Sequence, residues 1–324
     1  MNITELLEAF SRLKVLIIGD VMIDSYVWGS VERISPEAPV PIVNAKRRES
    51  RLGGAGNVAL NVQALGANPI LCSVIGNDEQ ANEMEKLLQE RQLSTKGLIR
   101  SEKRPTTIKH RILAGSQHLL RIDSETTAAV SEEDSQKLVL VVQELAQDAD
   151  VIIFEDYDKG VLTEQNIEQI IAFANQKNIP TAVDPKKRNF LFYKNCSFFK
   201  PNLKELKEGL NISVEATLES LEKAVAQLRQ KINCQNAMIT LSEYGVFIDN
   251  PTEKHLIAAH KREIADVSGA GDTVISVAAL CLALGTDLKT LASLSNLGGG
   301  LVCEYLGVVP INLEVFRKEA QKIF

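Results

Sequence analysis

No apolar run in the chain approaches the length that spans a bilayer, and the N-terminal stretch MNITELLEAFSRLK is an acidic amphipathic pattern without the basic start and apolar centre of a secretory signal. A membrane or exported protein is therefore not expected, and a cytoplasmic enzyme is. Paired cysteines are missing as well. Cys72, Cys196, Cys234, Cys281 and Cys303 are scattered, with no spacing that would hold zinc or an iron–sulfur cluster, and most lie in apolar runs, so reduced, buried thiols are expected. Positive charge is scarce: the formal net charge is −6, and the longest basic cluster is the KRR at 46–48. That argues against a nucleic acid or an anionic membrane as partner. Repeats, low-complexity tracts and dividing linkers are also absent.

What the 324 residues do contain is 45% hydrophobic side chains, enough for a large core. Short apolar runs (VLIIGD, PILCSVIGND, VIIFEDYD, IPTAVDP, SFFKPN, AMITLSEYG) alternate with longer helical patterns. This alternation predicts an α/β fold: a doubly wound, mostly parallel sheet with helices on both faces. The strand runs end in Asp20, Asp78, Asp156, Asp184, Asn202 and Ser242. In such sheets ligands sit beyond the carboxyl ends of the strands. Residues 24–50 and 104–123 break the alternation with period-two patterns, prolines and a Gly-Ser turn at 115–116. They read as antiparallel ribbons forming a small β flap at the edge of one domain spanning 1–324. The flap's apolar positions, including Val27, Trp28, Val40, Ile42 and Val43, predict a homodimer in which two flaps cover each other.

Three short stretches carry chemistry. In DVSGAGDT (266–273), Asp266 and Asp272 bracket Gly269-Ala270-Gly271 at the entrance of a helical run. Small residues there leave the first backbone N–H groups open to an anion. Asp272 in that place either caps the helix or serves as a general base beside a transferring phosphoryl group. In LGGAGNVALNVQALG (52–66) the G-x-G-x-x-A spacing of Gly54, Gly56 and Ala59 lacks the preceding buried strand of a dinucleotide fingerprint, and no G-x-x-x-x-G-K-[ST] occurs anywhere. The turn and the Asn57 amide would instead suit sugar hydroxyls. In FKPNLKE, Asn202 and Glu205 either form a capping box or hold the water shell of a magnesium ion.

With LGGAGNVALNVQALG early and DVSGAGDT late, the chain resembles the ribokinase-like (PfkB) carbohydrate kinases over essentially its full length. The resemblance implies ATP and Mg2+ as cofactors, Asp272 as catalytic base and Gly269, Ala270 and Gly271 as anion hole. It implies Asn202 and Glu205 near the magnesium, reaching it through water, with Thr240, Ser242, Gly245, Asp266 and Asn296 around the nucleotide. It places Asp20, Asp24, Gly53, Gly54 and Asn57 in the sugar site. A narrower likeness rests on GDVMIDSYVWG, RISPEAPVPIV, EDYDKGVL, VDPK and DVSGAGDTVI. These resemble the kinase half of the enzymes that make ADP-heptose, which phosphorylates the anomeric hydroxyl of D-glycero-β-D-manno-heptose 7-phosphate; Glu155 departs from that pattern, where a small residue is usual. Members often carry a nucleotidyltransferase domain, which is not expected within these 324 residues. The far phosphate of such a substrate needs cations, and Lys109, Arg111, Arg121, Lys159 and Lys186 are the candidates, with Asp156 beside them in DYDKG. Lys109 and Arg111, two apart on a strand, would face one side. The alternatives are another PfkB-type kinase for a hexose phosphate or nucleoside, and a non-catalytic sugar sensor on the same fold.

Overall fold

The structure is a computed structural model that describes every residue except Met1, Ser116 and Lys261. Its strands are β1 (Lys14–Gly19), β2 (Val21–Ile34), β3 (Pro41–Gly54), β4 (Asn68–Gly76), β5 (Gly97–Ser101), β6 (Ile108–Ala114), β7 (Gln117–Ser124), β8 (Val151–Glu155), β9 (Thr181–Asp184), β10 (Phe198–Phe199), β11 (Asn236–Thr240), β12 (Val246–Asp249) and β13 (Lys254–Ile257). Among the described residues, nine of them form one sheet in the order β13-β12-β11-β10-β9-β8-β1-β4-β5. All neighbours run parallel except β11-β12 and β12-β13, a hairpin that ends one edge. The central strands are buried on both faces: Val15 and Ile17 enter one apolar cluster, Leu16 and Ile18 the other. That two-sided burial explains their continuous aliphatic runs. No described helix is long and apolar enough to cross a membrane.

The chain leaves β1 for β4 and β5 on one side and returns through β8 to β13 on the other. The order therefore reverses between β1 and β8, and the crevice above that point is where such folds bind ligands. Asp20 follows β1 and Asp156 follows β8, so both acids stand at the reversal.

The remaining four strands form the flap, ordered β3-β2-β6-β7. Its first segment, 21–54, exceeds the expected 24–50, because β2 begins immediately after Asp20 and β3 runs on to Gly54, whereas its second, 108–124, starts later than the expected 104. Residues 104–107 stay behind. Arg104 donates to the Lys159 carbonyl at 2.6 Å, and the Thr106 N–H and hydroxyl both donate to Asp78, at 2.8 and 2.7 Å. Each ribbon is antiparallel, as the alternation suggests, but they join through a parallel β2-β6 pair. Side-chain periodicity reports which residues share a face and carries no record of relative strand direction. Ser116 of the expected Gly-Ser turn lies outside the described residues; Gly115 adopts φ +58°.

Candidate active site

A cleft of about 620 Å³ opens between the flap and the carboxyl ends of the central strands. One wall is the entrance of the helix Ala270–Ala283. Gly269 is its cap residue in left-handed geometry, φ +78°, and no described side chain caps the helix. A Cβ on Gly269 would come within 3.0 Å of the Asn57 amide nitrogen. The left-handed turn and this close approach both select glycine.

Asp272 sits in the first turn, 5% exposed, yet it does not cap the helix. Its carboxylate reaches across to two donors: Asn57 Nδ2 at 2.6 Å and the Tyr157 hydroxyl at 2.8 Å. Burial raises its pKa above the usual carboxylate value, the two hydrogen bonds lower it, the nearby Asp184 charge raises it and Lys200 lowers it, with a net upward shift. Asn57 is held in turn from the helix Ala55–Ala64. Asn61, one turn on, donates to the Asn57 carbonyl at 3.0 Å and accepts from Thr273 Oγ1 and the Ile311 N–H, both at 3.0 Å. Three segments far apart in sequence are thus locked around the carboxylate.

Behind the helix entrance lies a buried charge cluster. Lys200, 2% exposed, donates to Asp184 Oδ2 at 2.8 Å, and Lys186 Nζ lies 2.6 Å from Glu205 Oε1 and 3.7 Å from Asp184 Oδ1. That Asp184 oxygen is buried with no hydrogen-bond partner among the described residues. Asn202 and Glu205 form the capping box in full, each backbone N–H bonded to the other's side chain at 2.8 Å. Thr240 bridges to Asn202, and the turn after it carries Ser242 at φ +54° and Gly245 at φ +94°. A Cβ on Gly245 would overlap the Ile257 carbonyl oxygen. Asn296 donates to the Ala258 carbonyl at 2.8 Å, and Asp266 accepts from Ser268 and from the Gly307 N–H at the cleft rim.

The flap supplies the opposite wall. Asp24 is buried there, packed so closely on Gly53 that a Cβ would come within 2.6 Å of its Oδ2. Gly54, at φ +60°, backs on the Asp20 carbonyl. Arg111 is ion-paired with Asp24 at 2.8 Å, and Lys109 with Asp123 and Glu125 at 3.1 and 2.6 Å. Both line the cleft, as does Arg121, which pairs with Asp123 at 2.9 Å. Side-chain exposures of 13% for Lys109 and 23% for Arg111 differ from those of a fully solvated ribbon face.

Other residues of the expected site lie off the cleft. Asp20, 1% exposed, accepts three backbone N–H groups, from Tyr157, Lys159 and Val161, at 2.9, 3.1 and 3.0 Å. Asp156 is buried with Asn189 and Tyr193 donating to it at 2.9 and 2.7 Å, and burial pushes its pKa up to about 6. Lys159 bonds Glu125 at 2.6 Å and Lys186 belongs to the cluster behind the helix. Sequence reasoning passed over Tyr157, Arg51, Lys200 and Asn61. Tyr157 stood inside the quoted EDYDKGVL, and Asn61 stands one helical turn after Asn57; those were the available signals. Arg51 carried none, because its place on the cleft wall follows from the long β3 that the ribbon boundary cut short.

Residues 12–314 match the profile described as pfkB family carbohydrate kinase. Two curated relatives, each named Bifunctional protein HldE, come from Syntrophotalea carbinolica and Aliarcobacter butzleri. They are 40% identical over 315 residues and 42% over 311, covering 97% and 94% of this chain. The chain spans 64% of the length of each. Among solved structures, phosphofructokinase-2 from Escherichia coli in complex with potassium superposes with a TM-score of 0.80 at 17% identity, covering 96% of this chain and 99% of its own. Ribokinase from Arabidopsis thaliana complexed with ribose and ATP gives 0.73 at 16%, covering 96% and 98%. At those identities the likeness is one of fold.

Proposed function

The chain belongs to the pfkB family of carbohydrate kinases, and from that membership we propose that it phosphorylates the anomeric hydroxyl of D-glycero-β-D-manno-heptose 7-phosphate, using ATP and Mg2+. The observation that carries this reading is Asp272: a buried carboxylate at an uncapped Gly-Ala-Gly helix entrance, facing a cleft whose far wall bears Lys109, Arg111 and Arg121. A carboxylate held by two donors from outside its own helix has a task other than capping. In the reaction it accepts the proton of the attacking hydroxyl while the N–H groups of Gly269 to Asp272 face the charge that builds on the transferring phosphoryl group.

Asp24, Gly53, Gly54 and Asn57 would contact the sugar. Lys109, Arg111 and Arg121 would meet its distal phosphate, and Asp20, Asp156, Lys159 and Lys186 would support these contacts from behind. The nucleotide would lie along Asn202, Thr240, Ser242, Gly245, Asp266 and Asn296. The donor set also fits a hydrated magnesium ion. Asp184 Oδ1 is a buried carboxylate oxygen without a hydrogen-bond partner among the described residues, and Lys186 links Asp184 to Glu205, which pairs with Asn202 in the capping box; these are oxygen donors of the hard kind that ion prefers. Bound there, the metal supplies neutralisation of phosphate charge. Closure of the flap excludes water from competing with the sugar hydroxyl. The exposed flap residues Ile34, Val40, Leu120 and Ile122 support a homodimer in which the two flaps cover each other.

A turnover screen of ADP release against a panel of sugar phosphates tests the proposal. Heptose 7-phosphate is expected to give the highest kcat/KM. A hexose phosphate or a nucleoside in that place would transfer the same chemistry to another acceptor, and no turnover on any sugar would favour a sensor.

A further inference from the structure

The turn at 157–161 connects two acids that the sequence offers separately. Asp20 binds its backbone at three N–H groups, and the turn is further fixed by Asp158 at φ +56° and Gly160 at φ +85°. A Cβ on Gly160 would overlap the Ala128 carbonyl. From this clamped turn the Tyr157 ring reaches into the cleft, passes 5.4 Å from Lys186 Nζ, and ends with its hydroxyl 2.8 Å from Asp272 Oδ1. Asn57 binds the other oxygen, Oδ2, at 2.6 Å. The two donors come from different segments, bind different oxygens and so fix the plane of the carboxylate.

We propose that Tyr157 is a positioning residue for the phosphoryl-transfer base, its hydroxyl orienting Asp272, and that Asp20 acts on the reaction through the 157–161 turn and not by touching the sugar. This rests on the reading of Asp272 as the base. A phenol donating to one oxygen stabilises the carboxylate over the carboxylic acid. The charged and titratable groups around Asp272 are Tyr157 from the turn, Glu155 from β8, Asp184 from β9 and Lys200 after β10; Asn57 adds a neutral donor from its helix. Burial and the Asp184 charge oppose ionisation, so the two donors and Lys200 are what hold the base ready. Without Tyr157, Asp272 keeps its proton to higher pH and its plane is free to turn about Asn57.

The test is the pH profile of the single-turnover rate for Tyr157→Phe, which keeps the ring and removes only the hydroxyl. Its acid limb is expected to move upward by about one pH unit or more, the scale of a charge-assisted hydrogen bond. The sugar KM should change less than about twofold, and the melting temperature should be retained. Asp20→Asn, measured in parallel, is expected to shift the same limb. An unshifted limb with a raised sugar KM in Tyr157→Phe would overturn the proposal and make Tyr157 a sugar contact; an unshifted limb with nothing else changed would make it a bystander. Asp272→Asn separates the two levels. If that variant turns over normally the base reading itself fails, whereas if it is inactive and Tyr157→Phe leaves the limb in place, only the positioning role fails.

Discussion

Arg111 donates two hydrogen bonds to one oxygen of Asp24, from Nε at 3.1 Å and Nη2 at 2.8 Å, and so ties β6 to the parallel β2 at the cleft wall. Asp24 adds to the positive character of Arg111 and is left with Oδ2 against Gly53. Arg111→Ala is expected to weaken use of heptose 7-phosphate by ~1.5–3 kcal/mol in kcat/KM, the range for a hydrogen bond to a charged group, with a much smaller effect on an unphosphorylated analogue. Equal losses on both substrates would mean that Arg111 serves by orienting Asp24.

Glu155 is fully buried at the end of β8, in register with Asp184, and neither of its carboxylate oxygens has a partner among the described residues. Burial first, then the charges of Asp184 and Asp272, push its pKa well above the ordinary 4.5. Between those values the folded chain keeps a proton that the unfolded chain has lost. Stability is therefore fully present below about 4.5 and falls as pH rises through the folded value. Asp156 adds the same sign between 3.8 and about 6. Glu155→Gln removes the penalty, so its melting temperature is expected to exceed that of the parent by a few degrees at pH 8 and to match it near pH 4. Calorimetric scans across that range decide; a variant less stable at pH 8 would show that the charged carboxylate is itself stabilising.

Much of this arrangement was legible in the sequence. The alternation of aliphatic runs and helical patterns reported the doubly wound sheet, because two-sided burial dictates residue type directly. Asp272 was legible as an anomaly, a carboxylate in an anion-binding entrance. The edge strands β5 and β13 were not: their burial is one-sided or partial, and GLIRS or KHLI has no periodicity that distinguishes it from a loop. The contact made by Tyr157, a residue within EDYDKGVL, was unreadable for a different reason. Its contact with Asp272 spans 115 positions and depends on Asp20, 137 positions from Tyr157, gripping the turn. No local pattern records such a relationship. Asn202 and Glu205 illustrate the reverse: their spacing fits a cap and a metal site equally, and the cap that forms does not remove Glu205 from the Asp184–Lys186 cluster.

Glu205→Gln separates those two roles, since glutamine at the third helical position can still accept from the Asn202 N–H. The magnesium concentration required for half-maximal activity is expected to rise several-fold while the melting temperature changes little. A lower melting temperature with unaltered magnesium dependence would assign Glu205 to the cap alone.

The outer flap exposes Ile34 at 60% and Leu120 at 54%. Light scattering at micromolar concentration is expected to give the mass of a dimer, and Leu120→Glu with Ile122→Glu to give that of a monomer. A monodisperse parent monomer would contradict the flap-to-flap arrangement.

The measurement that bears most directly on the account is the turnover of Asp272→Asn beside its affinity for ATP. Asparagine retains the shape of the side chain but cannot take the proton of the sugar hydroxyl. The account predicts a loss of ~10²–10⁴ in kcat, the contribution of a general base, with ATP binding by calorimetry unchanged. Turnover near that of the parent, or a fall in kcat no larger than a matching fall in ATP affinity, would contradict it and leave Asp272 as a structural link between the helix Ala270–Ala283, Asn57 and Tyr157.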